Sequence, residues 1–289
     1  MTTRDWRLPP LRLKGSPAPD DLAARRAGAA GMPPAPTAPG ITVRQETIAG
    51  VPCVVCESPS PVASIVYFHG GGYRLGSAAM STAFGTRLAT ATSTTVVVVD
   101  YRLAPEIPFP AAVHDATAVY GAVRDGGAGP VLAAGDSAGG GLAAALAVAC
   151  DNAGIAGPDG LILLSPWLDM TCSSETFDTR AATDQLFSKQ SATEASQMYL
   201  QGHDQRDPLA SPAFADVARF PPVLVFAGGD EVLLDDSLQF ASRLAKGGVS
   251  VELHAVRGMQ HVWPTLFPDL PESARALDAI GRFVPSVVA

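Results

Sequence analysis

The residues best suited to chemistry are a serine, a histidine and two adjacent carboxylates, far apart along the chain. Ser137 is the centre of Gly135-Asp136-Ser137-Ala138-Gly139, with the apolar run Pro130–Ala134 before it and Gly140 and Gly141 after it. A strand that reverses sharply into a helix strains the residue at the apex. Glycines two positions to either side remove the side chains that would collide there. A serine hydroxyl is a poor nucleophile until a base takes its proton, so Ser137 needs a histidine and a group to orient that histidine. Five histidines compete. His261, in Gly258-Met259-Gln260-His261-Val262-Trp263, lies in a loop between the last apolar strand and the last helical stretch and is the expected base. His254 alternates with apolar residues in that strand and His114 sits in a helical stretch, so both read as structural. His203 falls in a polar insertion, and His69 opens a glycine loop. The orienting carboxylate should follow the strand Val223–Ala227, where Gly228-Gly229-Asp230-Glu231 supplies two. Asp230, the first after the strand, is the expected partner. Glu231, Asp235 and Asp236 are left to cap or flank the next helix.

Attack on a carbonyl leaves a negative oxygen, best held by backbone N–H groups already in place. His69-Gly70-Gly71-Gly72-Tyr73 follows an apolar strand ending at Phe68, and without side chains its backbone can approach a substrate oxygen. Ala138, next to the serine at a helix start, offers another N–H. Around these residues, short β-rich runs (Ile41–Ile48, Val51–Glu57, Ala63–Phe68) suggest an antiparallel entry into a sheet. Then apolar strands alternate with helical stretches. The strands are Thr95–Asp100, Pro130–Ala134, Leu161–Leu164, Val223–Ala227 and Val249–Val256; the helices fall near Phe109–Asp125, Leu142–Cys150, Leu234–Lys246 and Glu272–Val284. Such alternation implies a mainly parallel sheet with helices on both faces. Residues 173–219 interrupt it with polar helical sequence around Asp184–Leu200 and read as an insertion above the strand ends, where insertions shape substrate pockets.

At 289 residues, the chain is long enough for one α/β domain with a small accessory region. Residues 1–40 stand apart, with a helical stretch around Pro19–Ala30 and a Pro-rich connector, Met32–Gly40. A net charge of -8 and no basic cluster longer than Arg25-Arg26 exclude capture of nucleic acid or of an anionic membrane surface. No apolar run is long enough to span a membrane, and the start has no secretory apolar region, so a cytoplasmic protein is expected. Cys53 and Cys56 have redox or zinc spacing, but no second ligand pair follows. On a strand they point to opposite faces, so they read as core cysteines.

Taken together, His69-Gly70-Gly71-Gly72, Asp100-Tyr101-Arg102-Leu103-Ala104-Pro105-Glu106, Phe109-Pro110-Ala111-Ala112, Gly135-Asp136-Ser137-Ala138-Gly139-Gly140, Ser165-Pro166-Trp167-Leu168-Asp169 and Gly258-Met259-Gln260-His261 resemble the bacterial hormone-sensitive-lipase family of carboxylesterases, across about residues 41–289. The resemblance implies an α/β-hydrolase fold: a mostly parallel eight-stranded sheet, helices on both faces, and a small helical cap built from residues 1–40 and 173–219. It implies a nucleophile at Ser137, an acid at Asp230, a base at His261, and N–H donors from Gly71, Gly72 and Ala138. The expected reaction is hydrolysis of short- to medium-chain acyl esters through an acyl-enzyme, with water as co-substrate and no metal or organic cofactor. Activity is expected to rise through roughly pH 6 to 7 as the histidine loses its proton. An amidase or acyltransferase on the same site, and a non-catalytic ligand-binding protein of the same fold, are the alternatives. Tyr73, Phe84, Trp167, Leu186, Phe187 and Trp263 could line the pocket. The strand after Val249 could extend the sheet into a homodimer.

Overall fold

The computed structural model describes residues 22–31, 35–127 and 129–288. In chain order these form α1 (Leu22–Ala30), β1 (Thr42–Ile48), β2 (Val51–Glu57), β3 (Ser64–Phe68), α2 (Ala78–Thr92), β4 (Thr95–Val99), α3 (Ala111–Asp125), β5 (Val131–Asp136) and α4 (Ala138–Ala153). Then follow β6 (Leu161–Leu164), α5 (Thr176–Thr179), α6 (Lys189–Leu200), β7 (Val223–Gly228), α7 (Leu234–Lys246), β8 (Val251–Val256), α8 (Trp263–Leu266) and α9 (Pro271–Val288). The strands make one eight-stranded sheet in the order β1-β2-β4-β3-β5-β6-β7-β8. Only β2 runs against its neighbours; from β4 to β8 every pairing is parallel.

A central parallel strand is covered on both faces, which is why β3, β5 and β6 read as unbroken apolar runs and are buried throughout. Alternate residues feed two cores. Val66, Phe68, Val97 and Val99 join the core under α3, α4 and α7, whereas Ile65, Tyr67, Val96 and Val98 join the one under α2 and α9. Cys53 and Cys56 divide between these cores, and burial pushes both thiols up to about 11. The Ala-, Leu- and Val-rich α4 has almost no exposed face, as suits a helix apolar all round.

Helix α2 is not among the expected elements, because four threonines lower its helix propensity. Thr82, Thr90 and Thr92 each donate to the carbonyl four residues back, at 3.0, 2.9 and 2.7 Å, and Ser77 caps the helix by accepting from the Met80 amide at 3.3 Å. In the insertion the helix begins at Lys189, not near Asp184. Ser188 caps it there, and residues 184–187 take a turn instead.

Of the N-terminal region, residues 1–21 and 32–34 lie outside the described residues. The described helix α1 is fastened by Arg26, which donates to the carbonyls of Arg74 (2.9 Å) and Ala104 (2.7 Å) and pairs with Glu106 at 2.7 Å. No helix among the described residues is long and apolar enough to cross a membrane.

Candidate active site

Three loops at the carboxyl ends of the parallel strands meet above the sheet. β5 runs into Ser137, whose φ of 52° and ψ of −121° put it in a region that a side chain rarely occupies. The turn closes because its flanks lack side chains: a Cβ on Gly135 would lie 2.2 Å from the Gly139 carbonyl oxygen, and one on Gly139 would lie 2.0 Å from that of Phe68. The Ser137 amide donates to the Leu164 carbonyl, and its carbonyl accepts from the Trp167 amide, so β6 and its exit loop brace the apex.

His261 reaches Ser137 from the loop after β8, with Nε2 2.8 Å from Oγ. Its Nδ1 lies 2.7 Å from Glu231 Oε2. With the Nδ1 proton directed at that carboxylate, Nε2 is left as the acceptor for the serine proton. The expected partner Asp230 is corrected here: the carboxylate on His261 belongs to Glu231. The chain turns tightly after β7, the Glu231 amide facing the Gly228 carbonyl at 3.4 Å, and this turn folds the Glu231 side chain back over the strand end. There it is fully buried and its Oε1 accepts from the Gly228 amide at 2.8 Å. Asp230 is half-buried. Its backbone amide bonds to the Met259 carbonyl at 3.1 Å, and its carboxylate makes no hydrogen bond among the described residues.

Burial pushes the Glu231 carboxyl up, against the pull of His261, Ser165 and the Gly228 amide. For His261, burial lowers the affinity for a proton, but the hydrogen bond and charge of Glu231, with the charges of Asp184 and Asp136, outweigh it and hold the ring above its usual 6.5. Ser165 and Val262 share the strain at this rim, with φ of 47° and 49°, and are linked by a 3.0 Å bond from the Val262 amide to Ser165 Oγ.

The glycine loop runs beside the serine. Gly71 has a φ of 123°, and a Cβ there would sit 2.1 Å from the Leu75 carbonyl oxygen, so only glycine fits. Among the described residues the amides of Gly71 and Gly72 have no acceptor, and that of Ala138, first in its helix, has no intrahelical one. Four hydrogen bonds set the loop: Asp136 Oδ1 accepts from the Gly70 amide at 3.0 Å and from Tyr67 at 2.5 Å, Tyr101 donates to the His69 carbonyl at 2.7 Å, and the Ala104 amide donates to the Tyr73 carbonyl at 2.8 Å. Asp136 and Tyr101 thus act on the loop, not on the reacting atoms.

Of the expected pocket residues, Phe187 lies flat against His261, with ring centroids 5.7 Å apart and planes at 12°. Trp167 meets Phe187 edge-on, and Tyr73 is tilted against Trp167 and stacked at 3.8 Å on Tyr199 of α6, a residue that the sequence did not single out. Leu186 is half-buried beside Phe187. Trp263 and Phe84 are corrections. Both belong to the core under α2 and α9, where Trp263 packs edge-on to Phe226 and Phe84 against Tyr67. The left-handed backbone at Val262 sends the side chains before and after it to different sides. Among the described residues no other histidine bonds Ser137: His69 stacks on Tyr101, His203 meets Phe109, His254 bonds Glu252, and His114 is exposed.

A strained serine between a parallel strand and its helix, with its base and carboxylate on later loops of the same sheet, defines a serine hydrolase of the α/β-hydrolase class. Comparison with known proteins agrees. A family profile described as alpha/beta hydrolase fold matches residues 65–265. The chain is 39% identical over 223 residues to an acetyl-hydrolase of Streptomyces hygroscopicus, covering 76% of this chain and 75% of that one. It is 34% identical over 256 residues to an esterase of Acinetobacter venetianus, covering 87% and 84%. It superposes with a TM-score of 0.89 and 35% identity on an esterase from the bacterial hormone-sensitive lipase family, covering 95% of this chain and 94% of that structure. The chain belongs to the α/β-hydrolase family, among the bacterial esterases of the hormone-sensitive-lipase type, and is a serine carboxylesterase.

Proposed function

We propose that the protein hydrolyses esters of short acyl chains, acetyl foremost, through an acyl-enzyme on Ser137. Ser137 attacks the ester carbonyl while His261 Nε2 takes its proton; the imidazolium, held by Glu231, then gives that proton to the leaving alcohol. Water, deprotonated by the same ring, releases the acid and restores the serine. The amides of Gly71, Gly72 and Ala138 hold the oxyanion. The observation that carries this reading is the continuous hydrogen-bonded chain Ser137–His261–Glu231, which also weighs against a purely ligand-binding role.

Two observations support a small acyl group. Relatives include an acetyl-hydrolase, and Tyr73, Trp167 and Tyr199, each almost fully buried, already pack against one another beside the serine loop. The N-terminal segment 1–40, described over residues 22–31 and 35–40, and the insertion 173–219 form the cap of a catalytic domain at residues 41–289. Strand β8, at an open edge of the sheet, is where a second copy would add to it. The four cysteines are free and buried, which supports action in a reducing compartment such as the cytoplasm.

The test is a rate series over p-nitrophenyl esters of increasing acyl length, with Ser137 labelling by a fluorophosphonate read by mass spectrometry. The expected result is one label, on Ser137, and kcat/KM greatest at the acetyl or butyryl ester. A label elsewhere, or rates still climbing beyond about eight carbons, would sink the proposal.

A further inference from the structure

Residues 183–187, in the turn before α6, touch both loops that carry the histidine and its carboxylate. Thr183 Oγ1 donates to the Asp230 carbonyl at 3.0 Å, and the Thr183 carbonyl accepts from Gln260 Nε2 at 3.0 Å. Gln260 Oε1 accepts from the Gln185 amide at 2.8 Å. At the centre is Asp184, 1% exposed. Its Oδ2 accepts from the Val232 amide at 2.8 Å, and its Oδ1 accepts from the amides of Leu186 and Phe187, both at 2.8 Å. The residues on either side of Glu231, the residue before His261 and the ring lying on His261 are therefore all tied to five consecutive residues.

We infer that Asp184 is a positioning residue for ester hydrolysis, locking the Glu231 loop and the Phe187 ring to one turn so that the cap and the proton-transferring pair form a single rigid unit. The inference rests on the acyl-enzyme reading above. A buried carboxylate holding three amide hydrogens gives a well-determined geometry, because losing any one bond leaves a desolvated polar group. Proton transfer from serine to imidazole depends steeply on such geometry. Three carboxylates face His261: Glu231 from the loop after β7, Asp136 from the end of β5, and Asp184 from the insertion, each favouring the imidazolium. Removing the charge of Asp184 therefore weakens the hold of the ring on its proton and moves the acid limb of activity to lower pH. Looser packing alone would not move the limb in that direction.

The experiment uses the full chain with p-nitrophenyl acetate, kcat and KM measured across pH, and active sites counted by fluorophosphonate. In Asp184→Asn the Oδ1 bonds can persist, while the charge and the bond to the Val232 amide are lost. The expected result is a kcat lower by about tenfold or more, KM within about threefold, and an acid limb displaced downward by a few tenths of a pH unit. Unchanged kcat, or a lower kcat with an unmoved limb, overturns the inference. If Asp184→Asn does not fold, as judged by circular dichroism, the double variant Thr183→Val with Gln260→Leu decides. It frees the turn from the histidine loop and from the Asp230 carbonyl, leaving the Asp184–Val232 bond as its remaining tie to the carboxylate loop, and kcat is expected to fall about tenfold. Parental kcat in that variant overturns the inference. A wild-type chain not labelled at Ser137 overturns the acyl-enzyme reading itself, whereas normal labelling with an indifferent Asp184→Asn overturns only the role of Asp184.

Discussion

The serine turn and the carboxylate turn stand about equally close to His261, yet they constrain their residues by different means. At 135–139 the backbone of one segment presses against another, so that residue identity is dictated: a Cβ on Gly139 would meet the Phe68 carbonyl at 2.0 Å. At 228–231 close packing dictates the glycines in the same way, a Cβ on Gly228 lying 2.5 Å from the Met259 carbonyl oxygen, but it is the direction of the tight turn that decides which of the two neighbouring acids faces the imidazole. Close packing writes itself into the sequence as an obligatory residue, whereas a turn that aims a side chain leaves only a choice between similar ones.

The comparison can be sharpened by substitution. Ser137→Ala should show the largest effect, a fall of at least about 10⁴-fold in kcat for p-nitrophenyl acetate with an unchanged fold, measured by steady-state rates and circular dichroism. Near-parental turnover would remove Ser137 from the reaction. The carboxylate turn should split its two acids. Glu231→Gln should lose about 10²- to 10⁴-fold in kcat, because the amide no longer holds the Nδ1 proton and stabilises no imidazolium; Asp230→Asn should change it by less than about twofold. Equal losses in the two variants would mean that the turn does not discriminate as the hydrogen bonds indicate.

A third expectation concerns pH. His261 is held above 6.5 by Glu231, Asp184 and Asp136 against the effect of burial. Only the neutral ring is a base, so activity is lost as pH falls through that raised value, and the acid limb of kcat/KM should be centred above 6.5. A limb centred below it would mean that desolvation, not the carboxylates, prevails.

The smallest effect is one of stability. Asp236 ties α7, which follows the carboxylate turn, to the segment that braces Ser137, accepting from Ser174 Oγ at 2.6 Å and from the amides of Leu168 and Asp169 at 2.9 and 3.1 Å. Burial pushes its carboxyl from 3.8 to about 7. The unfolded chain therefore gives up this proton near pH 3.8 and the folded one near 7, so the contribution to stability is full below the first value and lost as pH rises through the second. Asp236→Asn should flatten the decline in Tm over that interval, as read by thermal denaturation; an unaltered slope would assign the decline to other groups.

Much of the sheet was legible because its central strands are apolar on both faces and its glycine turns cannot be built otherwise. Ser137, His261 and the Gly71–Gly72 loop follow from those constraints. The acid was misread because order after the strand says nothing of where a turn aims its side chains. Trp263 was misplaced because a left-handed Val262 is invisible in residue type, and α2 was missed because its threonine hydroxyls satisfy the helix backbone in a way that propensity counts against them. Tyr199 and Asp184 had no local signal at all, since their importance lies in contacts made across the fold.

The separation of Ser137 and His261 by 124 positions also bears on synthesis. The elbow can form once β5 and α4 have emerged, but the histidine bonded to it follows only after β8. During translation Ser137 is therefore positioned before its histidine exists, and the proposed acyl-enzyme chemistry waits on the docking of β8 and the loop after it.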